Sequence, residues 1–273
     1  PFRRERRGRP LPTVQAGGPG SMKRFEGKVC VVTGSTDGIG LGCAERFLLE
    51  GGKVVVSSRK EPNVLKTVES LRGKYGEDRV SGVVCHIGEA EARANLWAHV
   101  KSQHGGMDIF VSNAAVSPPQ PALLKTTEAM WDKVFDVNVK ASFLLAKEAE
   151  ALMNPGGAII FVSSAGAYNP GAPHPVYGVS KTALHGLTKA LAQEYARKGV
   201  RVNAIAPGMI KTSFSKPIWS NPKAEAMMAA GTLLKRLGEV DEIAGSIAFL
   251  ASKDANYITG EILAAAGGGA SRL

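Results

Sequence analysis

Short apolar runs alternate with longer amphipathic stretches along most of this chain. The runs at 29–33, 54–57, 83–85, 109–112, 158–163, 202–206 and 262–264 are rich in Val, Ile and Ala and are bounded by Gly, Asn, Pro or Ser. Apolar runs this short read as strands buried on both faces. The stretches at 39–50, 62–75, 89–104, 127–153, 176–198 and 240–252 read as helices. Such alternation implies a mostly parallel sheet flanked by helices on both faces. Right-handed crossovers then give a single doubly wound, Rossmann-type α/β domain with a seven-stranded sheet. Residues 22–273 contain no internal repeat and no break in composition. One stretch, 209–236, departs from the alternation and carries Phe214, Trp219, Met227 and Met228. Long insertions in compact domains tend to be lids or binding loops.

Composition adjusts this picture only at the ends. The chain has 273 residues, 44% hydrophobic and 21% charged, enough apolar surface for a full core. Net charge is +10, of which the first 21 residues supply +4 through five Arg and Glu5. That Arg-, Pro- and Gly-rich segment lacks hydrophobic periodicity and reads as a leader or an appended segment, outside the fold. The remaining positive charge comes with no nucleic-acid signature, and no apolar run reaches the ~20 residues of a membrane span. Cys30, Cys43 and Cys85 are scattered and lack metal-ligand spacing, so they read as reduced, buried thiols. The chain ends Ser271-Arg272-Leu273, close to the Ser-Lys-Leu peroxisomal address, after a run of glycines.

Two motifs carry chemistry. The first strand runs into Gly34-Ser35-Thr36-Asp37-Gly38-Ile39-Gly40 and then a helix. Glycines there permit a tight turn and close approach of a pyrophosphate, which the helix N-terminus attracts. The second strand ends Ser58-Arg59-Lys60, where NAD-binding proteins commonly place an acid for the ribose 2′-hydroxyl. A carboxylate would repel a 2′-phosphate, whereas Arg59 can grip one, so the expected cofactor is NADP(H). The second motif is Tyr177-Gly-Val-Ser-Lys181. Residues i and i+4 share a helix face, which would put an ammonium beside a phenol and lower the phenol pKa. A phenol tuned in this way can donate a proton to a developing alkoxide.

Taken together, these residues resemble the short-chain dehydrogenase/reductase family from about residue 25 to 269. Its markers occur in order: the glycine turn; Asn113-Ala114-Ala115; Asn138 in Val137-Asn138-Val139; Ser164, thirteen residues before Tyr177; Tyr177 and Lys181; then Pro207-Gly208 and Thr212. The stretches Val-Val-Ser-Ser-Arg-Lys, Val-Cys-His and Ile-Lys-Thr-Ser-Phe-Ser, with the Ser-Arg-Leu end, further resemble the peroxisomal NADP-dependent retinol dehydrogenase/carbonyl reductase branch. Two positions depart from the wider family. Ala115 stands where glycine is usual, and His86 stands where Asp commonly ends the third strand.

The resemblance implies hydride transfer between a nicotinamide and a carbonyl carbon. It makes Tyr177 the general acid, with Lys181 tuning it and holding the nicotinamide ribose. Ser164 would polarise the substrate oxygen, and Asn138 would anchor a water leading from Lys181 to solvent. Thr212 would bind the carboxamide with Ile210 beside it, and Ile87 would keep a backbone contact to adenine. Phe214, Ile218, Trp219 and residues 116–119 are the candidates for an apolar substrate pocket. His174 reads as a residue of the pocket mouth. His185, one turn beyond Lys181, is a rival acid/base whose role the tyrosine already fills. The family also implies a homotetramer, and the tail implies a peroxisomal import receptor. Alternative readings are a hydroxysteroid or 3-oxoacyl reductase and a catalytically inactive, cofactor-bound regulatory protein.

Overall fold

The computed structural model describes residues 23–119, 121–171 and 173–269. Each apolar run becomes a strand: β1 (Val29–Thr33), β2 (Lys53–Ser58), β3 (Val80–Val84), β4 (Met107–Ser112), β5 (Met153–Val162), β6 (Arg201–Pro207) and β7 (Ile262–Ala265). They form one sheet in the order β3-β2-β1-β4-β5-β6-β7, with every neighbouring pair parallel. The chain moves outward from β1 to β3, then returns to lay β4 against the other side of β1. Loops leaving β1 and β4 therefore diverge and open a crevice at the carboxyl ends of the strands.

The helices cover both faces. They are α1 (Gly38–Leu49), α2 (Glu61–Tyr75), α3 (Ala90–His104), α4 (Glu128–Phe135), α5 (Ala141–Ala149), α6 (Pro175–Ala196), α7 (Lys216–Trp219), α8 (Pro222–Ala230) and α9 (Val240–Ala251). Side chains alternate across a strand, and β1 accordingly feeds two cores. Val31 joins one with Trp97 of α3, Leu145 of α5 and Leu184 of α6. Cys30 and Val32 join the opposite one with Phe47 of α1, Leu71 of α2 and Ile247 of α9. All three cysteines are buried, and burial pushes each thiol up. Asp108 pins the start of β1 to β4, accepting from the Val29 N–H and from the Lys28 ammonium, each at 2.9 Å. Among the described residues no helix is long and apolar enough to cross a membrane.

Two boundaries differ from the sequence reading. The expected helix over 127–153 is α4, a π-helical turn at Asp136–Lys140, and α5, after which β5 begins at Met153. α5 stops at Ala149, and Pro155 and Gly156, the latter at φ +80°, bar any helix from running on through them. The early part of β5 reaches β4 through Met107↔Met153, across a register shift. β3 runs over Val80–Val84 rather than 83–85, while the Cys85 N–H still bonds the Ser58 carbonyl at 2.9 Å.

Candidate active site

The crevice opens into a cavity of about 1010 Å³. Small-ligand pockets span ~300–1,000 Å³, so this one has room for a large cofactor. One wall is the turn after β1, where Gly34 and Gly38 take φ of +63° and +52°. A Cβ at Gly40 would sit 2.3 Å from the Gly34 carbonyl oxygen and 2.5 Å from Asn113 Nδ2. Asn113 Nδ2 itself donates to the carbonyls of Thr33 (2.9 Å) and Gly34 (3.0 Å). Thr33 Oγ1 accepts in return from the Asn113 and Ala114 N–H groups. The turns after β1 and β4 are thus braced against each other, and Ala114 and Ala115 line the cavity without closing it.

Gly34, Thr36, Gly38 and Ile39 line the cavity as expected. Ser35 does not. It is fully buried, its hydroxyl donates to the Val32 carbonyl (2.7 Å) and accepts from the Ser57 N–H (2.9 Å), so it braces β1 to β2. Gly40 also lies behind the lining, and its role is the close packing of α1 on the turn.

Ser58, Arg59, Lys60, His86 and Ile87 line the cavity beyond β2 and β3. Arg59 and Lys60 are exposed, and neither joins an ion pair among the described residues. His86 Nδ1 is buried without a hydrogen-bond partner, with the Glu89 carboxylate 3.6 Å away. The Ile87 carbonyl is held by the Arg93 guanidinium at 2.9 Å, and Glu148 holds that guanidinium in turn. A glycine turn that a Cβ would fill, two unpaired cations and an orphaned ring nitrogen fit a dinucleotide carrying an extra phosphate.

Ser164, Tyr177 and Lys181 meet in the same cavity. Ser164 lies two residues past the end of β5 and caps a short 3₁₀ turn, its hydroxyl accepting from the Gly166 N–H at 3.1 Å. Pro175 starts α6, a position where its missing N–H costs nothing, and so sets Tyr177 in the first turn. Lys181 Nζ lies 5.6 Å from the centre of the Tyr177 ring and donates to the Val162 carbonyl at 2.7 Å. Burial pushes the Tyr177 phenol up to about 12, against a hydrogen bond with Ser164 that pulls it down. Burial also pulls the Lys181 amine down to about 7. The expected lowering of the phenol by its neighbour is therefore reversed here, because the amine is committed to Val162 and desolvation disfavours both charged forms. The result is a phenol that keeps its proton across neutral pH beside an amine that titrates there.

Asn138 occupies the π turn and is fully buried. Its amide accepts from the Val116 N–H (2.8 Å) and donates to the Val116 carbonyl (2.9 Å) and Ser180 Oγ (3.0 Å). Both amide hydrogens are used, so the side chain clamps the loop after β4 to α6 and does not line the cavity. Its expected water would fall to the backbone carbonyl oxygen, which already accepts from Ser142 at 2.9 Å.

Pro207, Gly208, Ile210, Thr212, Phe214 and Ile218 line the remaining side. Trp219 does not. Its indole N–H donates to the Thr212 carbonyl at 2.8 Å, buttressing the loop from behind. The Phe214 ring lies 6.1 Å from that of Tyr177. His174 does line the mouth, its Nδ1 3.2 Å from Ser117 Oγ, and burial lowers its pKa. His185 stays outside the cavity against Ser163.

Sequence reasoning missed Asp37, Asn63, Asn169, Ser213 and Ala266 as lining residues. Asp37 had a readable signal, since an Asp before Gly-Ile-Gly is a helix cap. Its Oδ1 accepts from the Gly38 N–H at 2.7 Å and its Oδ2 accepts from Ser213 Oγ.

A family profile described as enoyl-(acyl carrier protein) reductase matches residues 34–270. Dehydrogenase/reductase SDR family member 4 of Bos taurus is 49% identical over 251 residues, covering 91% of this chain and 89% of that protein. Tropinone reductase-like 3 of Erythroxylum coca is 48% identical over 251 residues, covering 92% and 96%. Among solved structures, L-sorbose reductase from Gluconobacter frateurii, complexed with NADPH and L-sorbose, superposes with a TM-score of 0.83 at 31% identity. That match covers 91% of this chain and 98% of the other.

Proposed function

The chain belongs to the short-chain dehydrogenase/reductase family, and on that premise we propose that it is an NADPH-dependent carbonyl reductase of lipophilic ketones, aldehydes or dicarbonyls, retinal among them. The observation that carries this reading is the meeting of Ser164, Tyr177 and Lys181 in one cavity with an unpaired Arg59. An intact proton-donating set speaks against an inactive regulatory protein. The NADPH complex of L-sorbose reductase, a structural relative, supports the choice of cofactor.

NADPH, when bound, supplies the hydride for the carbonyl carbon. Gly34, Gly38 and the first N–H groups of α1 would hold the pyrophosphate, and Arg59 and Lys60 the 2′-phosphate. Ser164 Oγ donates to the substrate oxygen and fixes its position, a kind of contribution worth ~10²–10³ in rate. Tyr177 Oη, protonated at neutral pH, gives its proton to that oxygen as charge develops. Protonated Lys181 then stabilises the phenolate left behind. Phe214, Ile218 and Met228 would offer an apolar wall to the rest of the substrate.

NADPH consumption across aromatic ketones, dicarbonyls, retinal and steroids tests the assignment. Tyr177→Phe is expected to lower kcat by ~10²–10⁴ with NADPH affinity retained; a variant that still reduces ketones would defeat the acid role. The protein is also proposed to assemble as a homotetramer, which light scattering reads directly. Ser271-Arg272-Leu273, outside the described residues, is proposed as a peroxisomal address for an import receptor. Its removal should redirect a fluorescent fusion and leave turnover alone.

A further inference from the structure

We infer that His185 is a positioning residue: acting through Ser163, it holds the end of β5 against α6 and so sets where Ser164 meets Tyr177. The inference rests on the reductase reading of the site.

Ser163 is 3% exposed, and its hydroxyl faces two groups. It donates to the Lys181 backbone carbonyl at 3.1 Å and lies 2.9 Å from His185 Nε2. A serine hydroxyl carries one proton. With that proton given to the Lys181 carbonyl, the second contact is satisfied by a hydrogen on Nε2. This makes a directed chain, from Nε2–H to Ser163 Oγ–H to the carbonyl of Lys181. The side chain of Lys181 runs the other way, Nζ donating to the Val162 carbonyl at 2.7 Å. Consecutive residues of one strand end are therefore both fastened to residue 181, and the next residue along is Ser164.

The imidazole is itself held. The Tyr168 ring packs against it at 4.9 Å, and the Tyr168 hydroxyl reaches the Ile262 carbonyl at 3.5 Å. His185 does not line the cavity, so it acts on the reaction only through the geometry it imposes. Loss of the ring leaves Ser163 Oγ buried with one partner gone and its rotamer unpinned. Ser164 then drifts relative to Tyr177, and a misplacement of ~1 Å can cost ~10²-fold in rate.

The test measures kcat and KM for a ketone with NADPH, together with NADPH affinity by fluorescence titration. The proteins compared are the parent, His185→Leu, His185→Gln, Ser163→Ala and the Leu/Ala double variant. His185→Leu should lower kcat by about tenfold with NADPH affinity unchanged. Ser163→Ala should lose a similar factor, and the double variant no more than either single one, as expected of one linkage. His185→Gln, whose side-chain N–H can reach Ser163, should recover most of the rate. An unchanged kcat in His185→Leu overturns the inference. So does a Gln variant no better than Leu, or full additivity in the double variant. Should His185→Leu fail to fold, Ser163→Ala and His185→Gln carry the same comparison. A parent that reduces no ketone would sink the reductase reading and this inference with it. A parent that turns over beside an equally fast Leu variant would sink the positioning role alone.

Discussion

The β1–β3 side of the cleft and the 209–236 side are built on different terms. On the first, backbone atoms set the shape: Gly40 leaves no room for a Cβ, Gly34 and Gly38 take positive φ, and Asn113 and Ala114 tie the turn to β4 through four hydrogen bonds. On the second, side chains set it, and several are half in solvent, with Phe214 57% and Met227 64% exposed. The ties on this side include the Ile210↔Gly238 bridge, the Lys211–Glu225 pair at 2.8 Å, Trp219 on Thr212 and Ser213 on Asp37. A constant group such as a pyrophosphate is served by a surface that cannot yield. A variable lipophilic group is served by flexible side chains such as methionine.

Substitutions can break this contrast, and the largest effect belongs to the rigid side. Gly40→Ala drives a methyl into the Gly34 carbonyl, and overpacking of this kind costs ~1–3 kcal/mol. We expect NADPH binding to be lost and the melting temperature to fall; a normal melt with full binding would show that the turn yields after all. Arg59→Ala removes charge-assisted bonds worth ~1.5–3 kcal/mol, so NADPH affinity should drop about 10–100-fold while NADH affinity holds. Equal loss for both cofactors would refute the 2′-phosphate contact.

The next effect is about tenfold per pH unit and tests the junction of the two sides. Lys181, pulled down from 10.5 to about 7, is an ammonium below that pH and neutral above it. The value of kcat/KM for NADPH should therefore fall as pH rises through about 7, and Lys181→Met should abolish the break. Linkage runs the other way for stability. The unfolded amine keeps its proton to about 10.5, so the burial penalty present below pH 7 is relieved between about 7 and 10.5, and this group's share of stability rises there. The smallest effect belongs to the 209–236 segment. Trp219→Phe deletes one hydrogen bond worth ~1 kcal/mol, and the KM for ketone should rise about fivefold with NADPH affinity intact.

The sequence disclosed what depends on local chemistry. Strand runs, the glycine turn and the Ser164–Tyr177–Lys181 spacing are fixed by residues near one another, and the structure brings them into one cavity. The side chains that stay out of the cavity cluster where a distant partner decides. Ser35 faces β2 because Ser57 is there, Trp219 turns to the Thr212 carbonyl, and Asn138 is drawn to Val116 and Ser180. The fate of residues 136–153 was hidden for a related reason: the π turn joins α4 to α5 with no breaking residue to mark it, and β5 is started early by its partner β4. The direction of the Tyr177 shift depended on burial, which spacing on a helix does not report.

The crevice exists only once β1 lies beside β4, and that pairing joins Cys30 to Ile109 across nearly a third of the chain. Closing so large a loop before any reward arrives is expected to slow assembly of this seam. A coenzyme bound across both of its lips would act on the nascent chain as a molecular suture, and cells starved of it would then hold less of the protein.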